Sequence, residues 1–296
     1  MPDTPNAQQD TRDILRSCLS LLPPQATERI IAHLQQSIHY EPVIGIMGKT
    51  GAGKSSLCNA LFRQSVCRTH DLTACTRKPQ RLRLAVGECT MTLVDLPGVG
   101  ETPEYDEEYQ SLYRSLLSEL DLIIWVLRAD ERARATDIAT YRSLIEYGAE
   151  PSRFLFVLAQ ADRVPPFSAT HQPSPSPEQV ISLAVLSAQA AGQFPSSFPV
   201  MAVSAHVGYN LPAFVELMVH ALPPQASSAV YRQLKPENKT EDADTTVRQT
   251  FGDIAGTAFD TVFNPDTCSP GWSVVLEQLR KNLVRLAMRL WDRIFG

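Results

Sequence analysis

An eight-residue run that contains three glycines and ends in Gly-Lys-Ser has the clearest chemical meaning in this 296-residue sequence. It extends from Gly48 to Ser55 and fits the pattern G-x-x-x-x-G-K-[S/T]. Glycines let such a backbone turn with several N–H groups pointing inward, which binds phosphate oxygens. Lys54 would reach the β- and γ-phosphates of a nucleotide, and Ser55 would offer its hydroxyl to Mg²⁺, the predicted cofactor. The nucleotide-binding residues predicted here are Gly48, Lys49, Thr50, Gly51, Ala52, Gly53, Lys54, Ser55 and Ser56.

A second motif of the form D-x-x-G begins at Asp95, 41 residues after Lys54. Asp95 would bind Mg²⁺ through water, and the N–H of Gly98 would contact the γ-phosphate. The polar loop between the two motifs contains Thr76, whose hydroxyl and N–H could meet the metal and the γ-phosphate, with Thr73 as the alternative. Lys54, Thr76 and Gly98 are therefore the candidate catalytic residues. The candidate metal ligands are Ser55, Thr76 and Asp95.

These motifs require strands and helices that bring them to one edge of a sheet. The β-branched apolar run Pro42–Met47 before the first motif is typical of a buried parallel strand, and Ser55–Arg63 after it predicts a helix. Strand and helix patterns then alternate, and a turn at Gly87 predicts a hairpin. The sequence thus predicts an α/β fold with a mainly parallel sheet and one antiparallel edge strand. The further predicted strands are Gln80–Val86, Thr90–Val94, Leu122–Leu127, Phe154–Leu158 and Val200–Val203, and the helices are Tyr105–Glu119, Thr136–Tyr147, 178–192 and Leu211–Ala221.

The chain divides by composition into a central domain with helical ends. We predict an N-terminal helical segment at 1–40, the nucleotide domain at 41–222, a polar linker at 223–246 and a C-terminal helical segment at 247–296. In the last segment leucines and an isoleucine recur at steps of three and four, which makes either a core face or a membrane-binding face. Another face of the same segment carries the basic row Lys281, Arg285, Arg289 and Arg293.

The overall composition excludes several classes of protein. A net charge of −5 argues against a protein that coats nucleic acid generally. Six scattered cysteines without a C-x-x-C pair, and no signal peptide, predict reduced thiols in the cytoplasm and no zinc site. Since no run of eighteen apolar residues occurs, we expect no membrane-spanning helix.

Together, GKTGAGKSS at the first motif, Cys75–Arg77 and DLPGVGE at the second resemble the Era-like bacterial GTPases of the translation-factor class. Within that class the chain resembles a prophage-associated subgroup with a ribosome-binding-type GTPase domain, over roughly residues 40 to 222. The resemblance implies a P-loop GTPase three-layer sandwich that converts GTP to GDP and phosphate. In this family the switch threonine stands just before an arginine, a little over twenty residues after the lysine. Thr76, 22 residues after Lys54, fits that position.

Base recognition is where the sequence departs from the family. The family has N-K-x-D or N-Q-x-D, whereas this chain has Ala159-Gln160-Ala161-Asp162. Asp162 can accept hydrogen bonds from guanine N1 and the 2-amino group, and Gln160 is a further predicted nucleotide-binding residue. Ala159 lacks the amide that ties the base side to the phosphate loop, so we expect weaker GTP binding with guanine preference retained. Ser204 and Ala205 resemble the fifth family motif and complete the predicted nucleotide site; in the next position His206 replaces a lysine.

Slow hydrolysis is expected because Val99 stands where some GTPases place a water-orienting glutamine. Glu101, Glu104 or Glu107 could position water instead, although exposed carboxylates are usually only solvated. Arg77 and Arg128 could stabilise transition-state charge, although ion pairing is the favoured interpretation of each. Gly51 replaces the asparagine of the potassium-dependent relatives, so that route is not indicated.

Three functions remain open from the sequence. The leading one is a GTP-hydrolysing switch that binds GTP and GDP and acts on an unknown protein effector. The second is a non-hydrolysing, nucleotide-dependent binding module. The third is a membrane-associated GTPase of the dynamin-like or immunity-related kind, with peripheral membrane contact through the C-terminal helix. A ribosomal or RNA partner follows only from the resemblance.

Overall fold

A six-stranded sheet with helices on both faces forms the centre of the molecule. The computed structural model describes residues 13–17, 19–64, 79–96, 111–166, 174–263 and 270–295. The strand order is β2-β3-β1-β4-β5-β6, and every neighbouring pair is parallel except β2 and β3. The predicted α/β class, with a mainly parallel sheet and one antiparallel edge strand, is confirmed. The strands are β1 Val43–Met47, β2 Gln80–Val86, β3 Cys89–Asp95, β4 Leu122–Arg128, β5 Phe154–Ala159 and β6 Met201–Ala202.

The described helices follow the sequence patterns closely in the central part of the chain. The predicted helix at Tyr105–Glu119 is helical at 111–116, while 105–110 lie outside the described residues. A serine cap at Ser176, paired with Gln179, starts the helix expected near 178. The α-helices are α1 (13–17), α2 Pro24–Ile38, α3 Lys54–Leu61, α4 (111–116), α5 Ala135–Glu146, α6 Pro177–Gln193, α7 Leu211–Ala221, α8 Pro224–Gln233, α9 Glu241–Asp260 and α10 Pro270–Phe295.

Continuous apolar runs form the central strands because helices cover both of their faces. The side chains of β4 from Leu122 to Leu127 are buried without interruption, as are those of β5. On one face Trp125 stacks on Phe156 with ring centroids 5.6 Å apart, beneath α5 and α6. On the other face Ile124 and Val126 contribute to the core formed with α2, α3 and α7–α10. This burial on both faces holds the ends of β1, β3 and β5 in place, and the predicted nucleotide-binding motifs stand at those ends.

The apolar stripe of α10 lies inside the fold. Leu283 is fully buried, and Leu276, Leu279 and Leu290 are buried with it in the same core as α9. Gly252 on α9 lets α10 approach closely, since a Cβ there would lie 2.8 Å from Met288 Cγ. Of the two interpretations of the stripe, the structure has the core face. Among the described helices, none combines the length and apolarity needed to cross a bilayer.

The prediction of a linker at 223–246 is wrong. The segment contains α8, a 3₁₀ turn at Pro236–Asn238 and the start of α9, and most of α8 is buried. Two of its polar side chains find partners in the core: Ser228 Oγ accepts a hydrogen bond from Trp291 Nε1 at 2.9 Å, and Gln233 Nε2 donates to the Cys89 carbonyl at 2.8 Å. The polar composition of this segment suggested an exposed linker, but polar side chains can be buried where other elements supply hydrogen-bond partners.

Candidate nucleotide site

The phosphate loop, residues 48–55, connects β1 to α3. Gly48 has a φ of 135°, and a Cβ there would lie 2.2 Å from the Val126 carbonyl oxygen, so only glycine fits. Gly53, at a φ of 103°, precedes the first turn of α3, which begins at Lys54. Strand, glycine-rich loop and helix therefore follow one another as the motif requires, with the N-terminus of α3 facing the loop.

The ammonium of Lys54 lies across the loop. Its Nζ donates hydrogen bonds to the carbonyl oxygens of Gly48 at 2.7 Å and Lys49 at 3.3 Å. The side chain is thus held by the backbone that would surround a phosphate. Ser55 and Ser56 follow in the first turn of the same helix.

The side chain of Lys49, in the phosphate loop, contacts the part of the chain that follows β4. Its Nζ donates to Glu131 Oε1 at 2.6 Å and lies 3.4 Å from Asp137 Oδ2. Burial opposes the charge, but the hydrogen bond to Glu131 and the charge of Asp137 raise the pKa of Lys49 overall. This leaves the backbone of Lys49 as the part that faces the loop.

Asp137 anchors this contact and was missed by the sequence analysis. It is almost fully buried on α5, and Trp125 Nε1 donates to its Oδ1 at 3.0 Å. Burial raises the pKa of Asp137, while the Trp125 hydrogen bond and the Lys49 charge oppose that rise. No local motif marks such a residue, because its role depends on β4 and the phosphate loop being adjacent.

Asp95 ends β3 beside Ile46 of β1. Its Oδ1 is buried and has no hydrogen-bond partner among the described residues. Burial raises the pKa of Asp95, and the nearby charge of Lys54 lowers it in part. A buried carboxylate oxygen without a partner, near Lys54 and the start of α3, fits a ligand of Mg²⁺. The other predicted residues of the metal and γ-phosphate end, Thr76 and Gly98, lie outside the described residues, as do Thr73, Arg77, Val99, Glu101, Glu104 and Glu107.

At the base side, Asp162 is positioned by Ser204. The Ser204 hydroxyl donates to Asp162 Oδ1 at 2.5 Å, and Ser204 itself is fully buried after β6. The backbone N–H of Ala161 donates to the Val203 carbonyl at 3.1 Å, which holds the two segments together. The structure therefore brings together two motifs that are 42 residues apart in sequence, with Ala205 next to them and His206 exposed.

Gln160 links the base side to the phosphate loop. It has a left-handed backbone with a φ of 62°, and its Nε2 donates to the Gly51 carbonyl at 2.9 Å. The expectation that the loop has lost this link because of Ala159 is therefore wrong. Ala159 contributes only its Cβ, which would lie 3.6 Å from a Cβ at Gly53. The missed signal was a long amide side chain one position after the alanine.

Arg128 makes the ion pair favoured from the sequence. Its Nε and Nη2 donate to the two carboxylate oxygens of Asp130 at 3.0 and 2.7 Å. The hydrogen bond from Arg128 is the main reason that the pKa of Asp130 is lowered. In this conformation the guanidinium is committed to Asp130.

Similarity to known proteins agrees with this arrangement. Residues 43–160 match the family described as "50S ribosome-binding GTPase". The chain is 43% identical over 281 residues to the uncharacterized protein YfjP of Escherichia coli strain K12, across 95% of this chain and 97% of YfjP. It is 31% identical over 145 residues to the tRNA modification GTPase MnmE of Streptococcus pneumoniae serotype 4 (strain ATCC BAA-334 / TIGR4), across 49% of this chain and 30% of MnmE.

Among solved structures, Era in complex with MgGDPNP and nucleotides 1506–1542 of 16S ribosomal RNA matches with a TM-score of 0.48 and 21% identity. The match covers 62% of this chain and 58% of that chain. The similarity to YfjP extends well beyond residues 43–160, so the terminal helices are part of what the two chains share.

Proposed function

The chain belongs to the Era-like family of P-loop GTPases, and from that premise we propose that it is a slow two-state GTP switch. Its nucleotide lies at the sheet edge where β1, β3 and β5 end, between Lys54 and Asp162. The observation that carries the proposal is the hydrogen bond from Gln160 to Gly51, since it joins the phosphate loop directly to the base-recognition motif.

At the phosphate end, the backbone N–H groups of the phosphate loop hold the β- and γ-phosphates. Lys54 exchanges its hydrogen bond to the Gly48 carbonyl for a phosphate oxygen. Ser55, Thr76 and Asp95 would hold Mg²⁺, which neutralises phosphate charge when it is bound. Thr76 and Gly98 contact the γ-phosphate, so their segments differ between the GTP and GDP states.

At the base end, Asp162 accepts hydrogen bonds from guanine N1 and the 2-amino group. Ser204 supports this by donating to one carboxylate oxygen and fixing its direction. Adenine offers no matching donors, so the site selects guanine. Gln160 and Ala205 complete the base side.

Hydrolysis is slow because Val99 has no group that can orient water. A nucleotide-dependent binding module that does not hydrolyse GTP is the second candidate, favoured by the same residue. Single-turnover phosphate release by the wild type, with Lys54→Ala as the control, separates the two. Release above the control supports the switch, and release equal to the control supports the binding module.

The nucleotide preference is tested by Asp162→Asn. The wild type should bind GTP well above ATP and XTP, because the carboxylate accepts from guanine donors. The variant should lose GTP affinity and gain XTP affinity, since the asparagine amide can donate to the 2-oxo group of xanthine. Isothermal titration of GTP, XTP and ATP into both proteins measures this. An unchanged preference in the variant contradicts the assignment of Asp162.

The partner of the switch is proposed to be a protein effector in the cytoplasm. The match to the 50S ribosome-binding GTPase family and the similarity to the tRNA modification GTPase MnmE extend the proposal to a ribosomal or RNA partner. Co-sedimentation with ribosomes in the presence of GTP or GDP tests this partner. The membrane-associated alternative is not favoured, because the apolar stripe of α10 is buried against the rest of the fold.

A further inference from the structure

A groove of about 480 Å³ lies between α1 and α10, on the helical layer formed by the two ends of the chain. Ile14 and Leu286 are its apolar lining residues, and both are partly buried. Ser17 and Asn282 add polar groups, and Arg285 and Arg289 place two guanidinium groups at the groove. The groove therefore combines apolar surface with concentrated positive charge.

The groove arginines belong to the basic row Lys281, Arg285, Arg289 and Arg293 of α10. The three arginines of this row differ from the neighbouring cations of the helix in their ion pairing. Lys281 pairs with Glu277 at 2.6 Å, and Arg280 pairs with Asp260 at 2.8 Å. By contrast, within the described part of the chain no carboxylate forms an ion pair with Arg285, Arg289 or Arg293. Like charges four residues apart destabilise a helix, so the row is unfavourable for the isolated protein. An acidic ligand would remove that repulsion.

The spacing of the row indicates the form of the ligand. Residues four apart on a helix are about 6 Å apart along its axis. Asp or Glu side chains four apart on a second helix repeat at the same distance, so successive carboxylates can meet successive arginines. Arginine is suited to this because its planar guanidinium can bind a carboxylate through two hydrogen bonds.

We propose that this groove binds an acidic amphipathic helix of a partner protein. Its carboxylates pair with Arg285 and Arg289, and its apolar side chains contact Ile14 and Leu286. The surface is separate from the nucleotide site, so the proposal does not rest on the proposed function. This binding mode is the insertion of a helix into a groove through residues at spacings of three and four.

Two other anionic ligands fit the groove less well. A basic amphipathic helix binds a membrane by inserting its own apolar face, but the leucine stripe of α10 is already buried in the core. Sites for single-stranded nucleic acid usually offer aromatic rings on which bases stack, and among the described residues none that lines this groove is aromatic. The mixed apolar and arginine lining favours a peptide.

The test measures binding of a fluorescein-labelled 18-residue peptide with Glu every fourth residue, Leu on the adjoining face and Ala elsewhere. Fluorescence anisotropy with the full chain at about 0.15 M salt gives the affinity, since this salt screens exposed charges beyond about 8 Å. We expect Arg285→Glu/Arg289→Glu to weaken binding by at least about tenfold. The matched control, Arg132→Glu/Arg142→Glu, changes the net charge equally at exposed positions just before and within α5, outside α10, and should stay within about threefold. Ile14→Ser should weaken binding several-fold with an unchanged salt dependence.

A peptide of opposite charge distinguishes a loss of charge pairing from misfolding of the variant. With Arg in place of Glu, the peptide should bind Arg285→Glu/Arg289→Glu more tightly than the wild type. No binding of the acidic peptide to the wild type, or equal losses in both double variants, would overturn the proposal. A third result would also overturn the proposal. In it, the wild type binds phosphatidylserine–phosphatidylcholine vesicles or a single-stranded RNA 20-mer but not the peptide, and the groove variant Arg285→Glu/Arg289→Glu loses that binding. The groove would then bind a lipid or a nucleic acid.

Discussion

Gln160 and Gly51 are joined by a hydrogen bond of 2.9 Å from the glutamine side chain to the glycine carbonyl. The two residues are 109 positions apart, and the bond connects the end of β5 to the phosphate loop. Gln160 has a left-handed backbone, which a residue other than glycine adopts only at a cost. This conformation accompanies the hydrogen bond that connects the phosphate loop to the segment that carries Asp162.

Replacing Gln160 with alanine should weaken the binding of GTP and GDP by about tenfold, because losing one such hydrogen bond costs about 1–1.5 kcal/mol. Ala159→Asn should add little, since the link already exists. Fluorescence titration with a labelled guanine nucleotide measures both changes. Gln189→Ala, an exposed glutamine on α6, is the control. A tenfold gain from Ala159→Asn would show that Gln160 does not fulfil the linking role.

Gly48→Ala should lower the free energy of unfolding and abolish nucleotide binding. The added Cβ would lie 2.2 Å from the Val126 carbonyl oxygen, so either β4 or the loop must move. Gly87→Ala is the matched control, since Gly87 also has a positive φ of 62° but open space around it. It should cost only about 1–2 kcal/mol of left-handed strain. Urea unfolding and nucleotide titration measure both variants, and equal costs would contradict the steric argument.

How far the sequence predicted the structure depends on whether a feature is local. The phosphate loop and its flanking strand and helix were predicted because the glycine spacing and β-branched run lie within one short segment. The hydrogen bond from Gln160 to Gly51 could not be predicted from a local pattern. It depends on the distance between the ends of β1 and β5 in the folded sheet. The same holds for α8, whose Ser228 and Gln233 are buried only because Trp291 and Cys89 supply partners from distant elements.

Asp95→Asn should raise the free energy of unfolding of the nucleotide-free protein at neutral pH. Burial raises the pKa of Asp95 in the folded state, so the native protein binds this proton more readily than the unfolded chain. The ionised carboxylate therefore costs stability at pH values above its folded pKa, and this cost disappears as the pH falls below its unfolded pKa. The gain of the variant should shrink accordingly on acidification from pH 7 towards pH 4.

The same variant should lose Mg²⁺-dependent GTP binding, because it lacks the proposed metal-binding carboxylate. Denaturant unfolding across this pH range, together with GTP titration with and without EDTA, measures both effects. Asp253→Asn is the control, since this aspartate is exposed on α9 and should change neither quantity. A variant that is less stable at pH 7 yet binds GTP normally would remove Asp95 from the metal site.

Leu283→Ala should destabilise the nucleotide domain together with the C-terminal helices. Leu283 on α10 is fully buried in the core that also contains Ile124 of β4 and Leu57 of α3. Truncation of a buried leucine costs about 2–5 kcal/mol, and a shared core transmits that loss to the whole unit. Urea unfolding followed by far-ultraviolet circular dichroism and by a bound fluorescent nucleotide should give one coincident transition at lower urea. Two separated transitions, with the nucleotide signal unshifted, would instead show that 247–296 is an independent unit, as the sequence division at 223–246 predicted.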